Sequence, residues 1–399
     1  MTVTIPKTEY SGEINAQPSK SAAHRALICA AMSEGEESTI HGIVESEDIK
    51  ATINCLTKLG AEVTLNGDTA AVRGIDPAKR KNPVTLDCGE SGSTLRFLLP
   101  ICLLSAQEAT FVGSKRLFER PLDVYEKIAS EQGIEFKRTD IGIRVRGKLD
   151  GGFFRVAGNI SSQFVTGLMF ALPFFDDGGI IEITPPIASA SYIRMTSEMM
   201  DNFGVNSCLT EKNTVIINGK QRYRGREITV EGDWSSGAVF LGLEALGHDV
   251  AVNGLDTEST QGDKIIRRYL AKLWRGRPTL DVTDCPDIAP ILMAAASVLN
   301  GAELIGTDRL KDKECDRGEA MAQELAKFGV TVLIGKDSII VEKPEKLLKP
   351  EMPVSSHNDH RTAMSLAALM TLTGGEIEDA EAVKKSYPTF FNDLFSLVH

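Results

Sequence analysis

No stretch of this 399-residue sequence is apolar for long enough to cross a membrane. Its most apolar run, Leu95–Ala106, falls well short of the roughly 20 residues that a spanning helix needs. The opening MTVTIPKTEYSG lacks the basic and then apolar regions of a secretory leader, so a cytoplasmic protein is expected. Only six histidines occur, none of them clustered, and the seven cysteines show neither paired nor metal-ligand spacing. Metal catalysis and a disulfide framework are therefore not expected. Dinucleotide fingerprints, phosphate-cradling P-loops and nucleophile elbows are missing as well, so no cofactor is expected. The net charge of −11, with no basic face to offset it, argues against a nucleic-acid partner. Small anionic ligands remain open, because local lysines and arginines decide that question.

What is present is a helix-start pattern that recurs six times, each copy a small polar cluster running into an apolar helix. The copies begin at Ser19, Glu90, Ser161, Asp233, Asp287 and Asn358, spaced 71, 71, 72, 54 and 71 residues apart. So steady a period implies a repeated supersecondary unit with one shortened copy, the fourth. In most copies a second helix follows at matching phase and ends on a glycine, as at Gly60, Gly133, Gly204 and Gly329. Short alternating runs such as EVTLNG and VTVLIG supply strands. Each unit reads as two helices plus several strands.

Cations gather at or near these starts: Lys20, Arg25, Arg96, Arg120, Lys313, Arg317, Arg361 and Lys385. Hydroxyls and amides accompany them, among them Ser21, Ser161, Ser162, Gln163, Ser235 and Ser236. A helix N-terminus offers unpaired N–H groups and a partial positive charge, and a nearby arginine turns it into a phosphate or carboxylate site. Each serine taken alone is equally explained as a helix cap. Six starts with several cations within about one turn are less easily explained so, and they point to a multiply charged anionic ligand. Among the acids, Asp287 is the best candidate for a general base, and Glu314 for a proton donor. Glu47, Asp48, Asp233 and Asp359 have weaker claims.

Taken together, PSKSAAHR (18–25), GSTLR (92–96), ERP (119–121), SSQF (161–164), GDWSS (232–236), PDIAP (286–290), KECDR (313–317) and NDHR (358–361) resemble the enolpyruvyl transferase family, in particular its EPSP synthases. The resemblance runs over essentially the whole chain. It implies an α/β (α+β) fold, a two-domain inside-out α/β barrel. Six βαβαββ-type repeats, three per domain, follow pseudo-threefold symmetry, with helix N-termini facing an interdomain cleft. Domains of 14–225 and of 1–13 plus 226–399 are expected, on the shikimate 3-phosphate and phosphoenolpyruvate sides respectively.

The implied reaction transfers the enolpyruvyl group of phosphoenolpyruvate to the 5-hydroxyl of shikimate 3-phosphate, through a tetrahedral intermediate. Shikimate 3-phosphate is expected at Lys20, Ser21, Arg25, Ser161, Ser162, Gln163, Ser189, Asp287, Arg309 and Lys313. Phosphoenolpyruvate is expected at Lys20, Gly92, Arg120, Gln163, Arg317, Arg361 and Lys385. Asp287, Glu314 and Lys20 are the implied catalytic residues, with domain closure around them. Glyphosate as inhibitor and a monomeric state are further implications.

Three positions depart from the family pattern: Glu90-Ser91 stands for Asn-Ala, Ala190-Ser191 for Lys-Pro, and Arg309 for Asn. Two rival readings share much of this evidence. One is the sister transferase acting on UDP-N-acetylglucosamine, which normally has Lys-Asn where this chain has Lys20-Ser21. The other is a noncatalytic anion-binding module.

Overall fold

The structure, a computed structural model, describes residues 1–398 and divides into two compact units, Pro18–Val230 and Met1–Gln17 with Glu231–His399. The divisions fall four to five residues beyond the hinges expected at Glu13 and Arg226. Strand pairing explains the difference. Glu13 lies inside strand Ser11–Asn15, which pairs in parallel with Asp249–Asn253, and Arg226 precedes strand Glu227–Thr229, which pairs with Glu37–His41. Each strand stays with its partner.

A complete repeat has a first strand, an inner helix, a central strand parallel to the first, an outer helix and a hairpin antiparallel to the central strand. The fifth repeat is built from Thr279–Asp281, Ala289–Val298, Ala302–Ile305, Arg317–Ala326 and the hairpin Val332–Ile334 with Ser338–Val341. Repeats one to three in Pro18–Val230 follow the same plan and give three four-stranded sheets. The sixth replaces its hairpin with the N-terminal strand Val3–Ile5, antiparallel to Gly375–Glu378. In the fourth, the outer helix Ile266–Arg275 runs almost directly into Thr279–Asp281, and the sheet has only two strands. The element missing from the short repeat is thus its hairpin.

Burial selects the inner helices. In Pro18–Val230 these are Lys20–Ala31, Gly92–Cys102 and Ser162–Ala171, with nearly every residue past the first turn buried. The Phe97 ring meets His24 and Phe170 edge-on, tying the three together. In the other unit Trp234–Ala245, Ala289–Val298 and His360–Met370 pack on one another. Helices apolar on all sides need a core on all sides. The outer helices are amphipathic and lie over them. Their glycine stops sit in the left-handed region, as at Gly60 (φ 113°) and Gly329 (φ 80°), which L side chains avoid.

Candidate functional site

Five of the six inner helices are capped by the side chain that the sequence places before them. Ser19, Ser91 and Ser161 accept from Ala22, Thr94 and Gln163 N–H groups, and Asp233 and Asp359 each accept from two backbone N–H groups. Asp287 is the exception. It lies in a 3₁₀ turn, Pro286–Ile288, that leads into Ala289–Val298 without a side-chain cap. Its carboxylate turns instead to cations: Oδ1 accepts from Lys313 Nζ at 3.1 Å and from Arg317 Nη1 at 2.7 Å, and Oδ2 lies 3.9 Å from Arg361 Nη2.

The Arg317 guanidinium is almost fully buried and is shared among three carboxylates. Besides Asp287, its Nε donates to Asp359 Oδ2 at 2.8 Å and its Nη2 to Glu314 Oε2 at 3.0 Å. Burial alone would raise the Asp287 carboxyl, but Lys313, Arg317 and Arg361 together hold it well below the usual carboxylate range. Burial lowers Lys313 from the ordinary lysine value, and Asp287 only partly restores it. Arg361 donates to Ser236 Oγ at 3.4 Å, and Gln17 donates to the same oxygen at 3.1 Å. The three helix starts of this unit therefore meet through one network. Lys385 Nζ donates to the Asn358 carbonyl at 2.6 Å, beside the start at Asp359. Glu324 clamps the preceding loop, accepting from the Ser355 N–H at 3.0 Å and meeting His357 Nε2 at 2.8 Å. Arg309 lies half-buried in the turn Asp308–Asp312, before Lys313.

Pro18–Val230 holds the other half of the expected residues. Lys20 pairs with Asp48 at 2.6 Å. Arg25 is sunk in the unit: Nε donates to Thr196 Oγ1 at 2.8 Å, Nη1 to the Ser21 carbonyl at 2.7 Å, and the group lies 5.2 Å from the Phe97 ring centroid. Burial pulls its pKa down to about 10. Gln163 ties the second and third helix starts together, accepting from Arg96 Nη1 at 2.7 Å and donating to Ser93 Oγ at 3.0 Å. Ser161 and Ser162 begin the same helix. Ser189 is buried and left-handed (φ 60°) at the start of Ala190–Asn202. Gly92 faces Arg120 so closely that an added Cβ would come within 2.8 Å of Nη1, so glycine is what lets this guanidinium reach the helix start. Ser91, where the family has alanine, serves as a cap and also accepts from Thr94 Oγ1 at 2.7 Å.

The expected shikimate 3-phosphate and phosphoenolpyruvate residues are each divided between the units. Within each unit many of them lie at inner-helix starts or bond to residues there, whereas Ser189 begins an outer helix and Arg309 lies in a turn; other members of these networks the sequence hid. Asp48, beside Lys20, had only a weak claim. Asp263 was missed altogether. It is buried in the turn Gly262–Ile265 and accepts from Ser235 Oγ. Burial, with Asp287 nearby, pushes its carboxyl up to about 7. A shared spacing was the available signal, since Lys20 to Asp48 and Ser235 to Asp263 are both 28 residues.

Among the described residues no group of three or more metal-binding side chains occurs, and no helix is long and apolar enough to cross a membrane.

Comparison with known proteins agrees with this arrangement. The family model for EPSP synthase (3-phosphoshikimate 1-carboxyvinyltransferase) matches residues 5–276 and 273–394. A 3-phosphoshikimate 1-carboxyvinyltransferase of Clostridium botulinum (strain Eklund 17B) is 40% identical over 422 residues, covering 99% of this chain and 97% of the relative. The enzyme of that name from Clostridium kluyveri is 41% identical over 417 residues, with 99% and 97% covered. The solved structure of EPSP synthase from Acinetobacter baumannii superposes with a TM-score of 0.77 over 100% of this chain and 98% of that one. Its 21% identity speaks to the fold alone. The two-part inside-out α/β architecture of repeated units, the full-length match and the relatives at about 40% identity lead to one statement: this chain belongs to the EPSP synthase family.

Proposed function

We propose that the protein is a 3-phosphoshikimate 1-carboxyvinyltransferase. It transfers the enolpyruvyl group of phosphoenolpyruvate to the 5-hydroxyl of shikimate 3-phosphate and releases phosphate, a step toward chorismate and the aromatic amino acids. The observation that carries the reading is the Asp287 carboxylate, kept ionised by Lys313, Arg317 and Arg361 instead of capping its helix. A cluster of three cations around one base suits a reaction whose two substrates each bring a phosphate and a carboxylate.

In this mechanism Lys20, Ser21, Arg25, Ser161, Ser162, Gln163, Ser189, Arg309 and Lys313 hold shikimate 3-phosphate. Lys20, Gly92, Arg120, Gln163, Arg317, Arg361 and Lys385 hold phosphoenolpyruvate. Asp287 takes the proton of the 5-hydroxyl as its oxygen bonds to C2 of phosphoenolpyruvate, and Glu314 protonates C3. Loss of a C3 proton then expels phosphate and restores the double bond. Lys20 and Lys313 steady the charge on the intermediate. A carboxylate held far below its usual pKa is a weak base. The arriving anions engage the cations that depress Asp287, so substrate binding itself raises its basicity toward the working range. Water must be kept from the bound substrates while the intermediate lasts. We take the working species to be a single chain in the cytoplasm, and glyphosate, an anionic mimic of phosphoenolpyruvate, to compete at the same cations.

The test is phosphate release from phosphoenolpyruvate with shikimate 3-phosphate, with UDP-N-acetylglucosamine and with neither. Release only with shikimate 3-phosphate is expected. Release only with the nucleotide sugar overturns the acceptor, and silence with both, in folded protein, overturns the enzyme.

A further inference from the structure

The missing hairpin leaves a surface that every other repeat covers. Five central strands have an antiparallel neighbour: Glu37–His41, Ala109–Val112, Gly179–Thr184 and Ala302–Ile305 pair with their own hairpins, and Gly375–Glu378 pairs with Val3–Ile5. Asp249–Asn253 alone has none among the described residues. Its ladder to Ser11–Asn15 uses the Asp249 N–H, donated to the Tyr10 carbonyl, and the Asn253 carbonyl, which accepts from Ala16. Backbone groups alternate along a strand, so those of Val250 and Val252 point to the open edge.

The outer helix tells the same story. In complete repeats it packs on its hairpin, and in three of the four a buried large apolar residue directly precedes the glycine stop: Leu59, Phe203 and Phe328. In the fourth repeat the residue before Gly276 is the charged Arg275, and Trp274, one residue earlier, is 60% exposed. It stands over a groove of ≈ 390 Å³ lined by Leu241, Ala245, Leu270 and Ala271, together with Glu244 and Arg267. The family match breaks at residues 273–276, the end of this helix. At least 23 positions of the alignment with the C. botulinum relative (422 − 399) have no residue in this chain.

We propose that the fourth repeat is a docking site for an acidic, strand-forming segment of another polypeptide. The segment adds antiparallel to Asp249–Asn253 and covers the Trp274 groove. The other repeats define the shape of the occupant: an extended strand with alternate apolar residues facing the helix, the geometry of strand addition. Charge defines its sign. Arg267, Arg268, Lys272 and Arg275 stand within nine residues of a chain whose net charge is −11, whereas the nearby Arg277 is already paired with Glu342. A second copy fits worse. Two copies share this edge only strand against like strand, which sets two such clusters side by side on one sheet face.

The test uses the full-length chain and an N-acetylated 12-residue peptide of alternating valine and glutamate, with a valine–lysine peptide as control. Binding of the glutamate peptide should shift tryptophan emission to the blue and slow hydrogen exchange at Val250 and Val252. Trp274→Ser should abolish the emission change, and Lys272→Glu should weaken binding at least tenfold. Neither residue belongs to the proposed catalytic set, so phosphate release should stay at the parent rate in both variants. Equal binding of the lysine peptide, unprotected Val250 and Val252 amides, or a concentration-dependent dimer that protects them without peptide would each overturn the proposal.

Discussion

Replacing Asp287 by Asn separates the two jobs assigned to this residue. The amide oxygen can still accept from Lys313 and Arg317, at positions now 3.1 and 2.7 Å from Oδ1, so the geometry survives and the charge does not. Hydrogen bonds to a charged acceptor contribute about 1.5–3 kcal/mol, against about 0.5–1.5 for neutral pairs. With two such bonds weakened, unfolding should be easier by about 2 kcal/mol. Arg317 keeps Asp359 and Glu314, which prevents a larger loss. Anion binding should not suffer, because three cations remain and one competing carboxylate is gone. Turnover should. An amide cannot take the hydroxyl proton, and loss of a positioned general base costs about 10²–10⁴-fold in rate. Phosphate-release kinetics, shikimate 3-phosphate titration calorimetry and urea unfolding measure the three quantities. The expected pattern is kcat down by that factor, affinity equal or tighter, and stability modestly lower. Turnover within tenfold of the parent would refute Asp287 as the base. The acid limb gives a second reading. The folded carboxyl titrates below the unfolded one, so its stabilising share is complete above about pH 4 and fades only in stronger acid. Asp287→Asn should lose that component.

Other expectations follow from the same geometry. Gly92→Ala places a methyl within 2.8 Å of Arg120 Nη1, so the guanidinium must move; steady-state kinetics should show KM for phosphoenolpyruvate rising more than kcat falls, and an unchanged KM would count against Arg120 as a ligand. Asp263 keeps its proton to about pH 7 while the unfolded carboxyl loses its own near 4, so stability falls as pH rises between those values. Asp263→Asn should remove this slope, on the order of a few kcal/mol, in urea midpoints measured from pH 4 to 8, and a variant slope equal to the parent's would contradict it. Cys208 is exposed, whereas burial raises the Cys315 thiol far above its ordinary value. A maleimide at pH 7 should therefore label Cys208 first by peptide mapping, with Cys315 reacting slowly.

Much of this architecture was legible because the sequence repeats. Five intervals, four of them of about the same length and each opening on a polar cluster before an apolar helix, allow little other than a repeated unit, and the cations at those starts were visible by position. The missing element was not legible. A deficit in the fourth interval does not say which strand or helix is gone, and only the two-stranded sheet identifies the hairpin. The division into units falls a few residues from the expected hinges for a similar reason, since Ser11–Asn15 and Glu227–Thr229 are assigned by partners far away in sequence. Site residues on outer helices and turns, such as Thr196 under Arg25 and Asp263 under Ser235, reach the inner helices only through tertiary packing. Asp287 was the reverse case. The sequence singled it out as the best general-base candidate, and the cations that accompany it, Lys313 and Arg317, come from a segment some 26 to 30 residues away.

Both units are closed by strands that arrive out of order, and this sets a clock on synthesis. Residues 18–230 contain every strand of their three sheets in one stretch, so that unit can finish folding while the rest is still being made. The strand Ser11–Asn15 must wait for Asp249–Asn253, 238 residues later. At about 5–20 residues per second that delay is roughly 10–50 s. Val3–Ile5 waits longer still, for Gly375–Glu378. Strands made before Pro18–Val230 are thus among the last to find their place, and in the interval they are unpaired and open to chaperones, proteases and wrong partners.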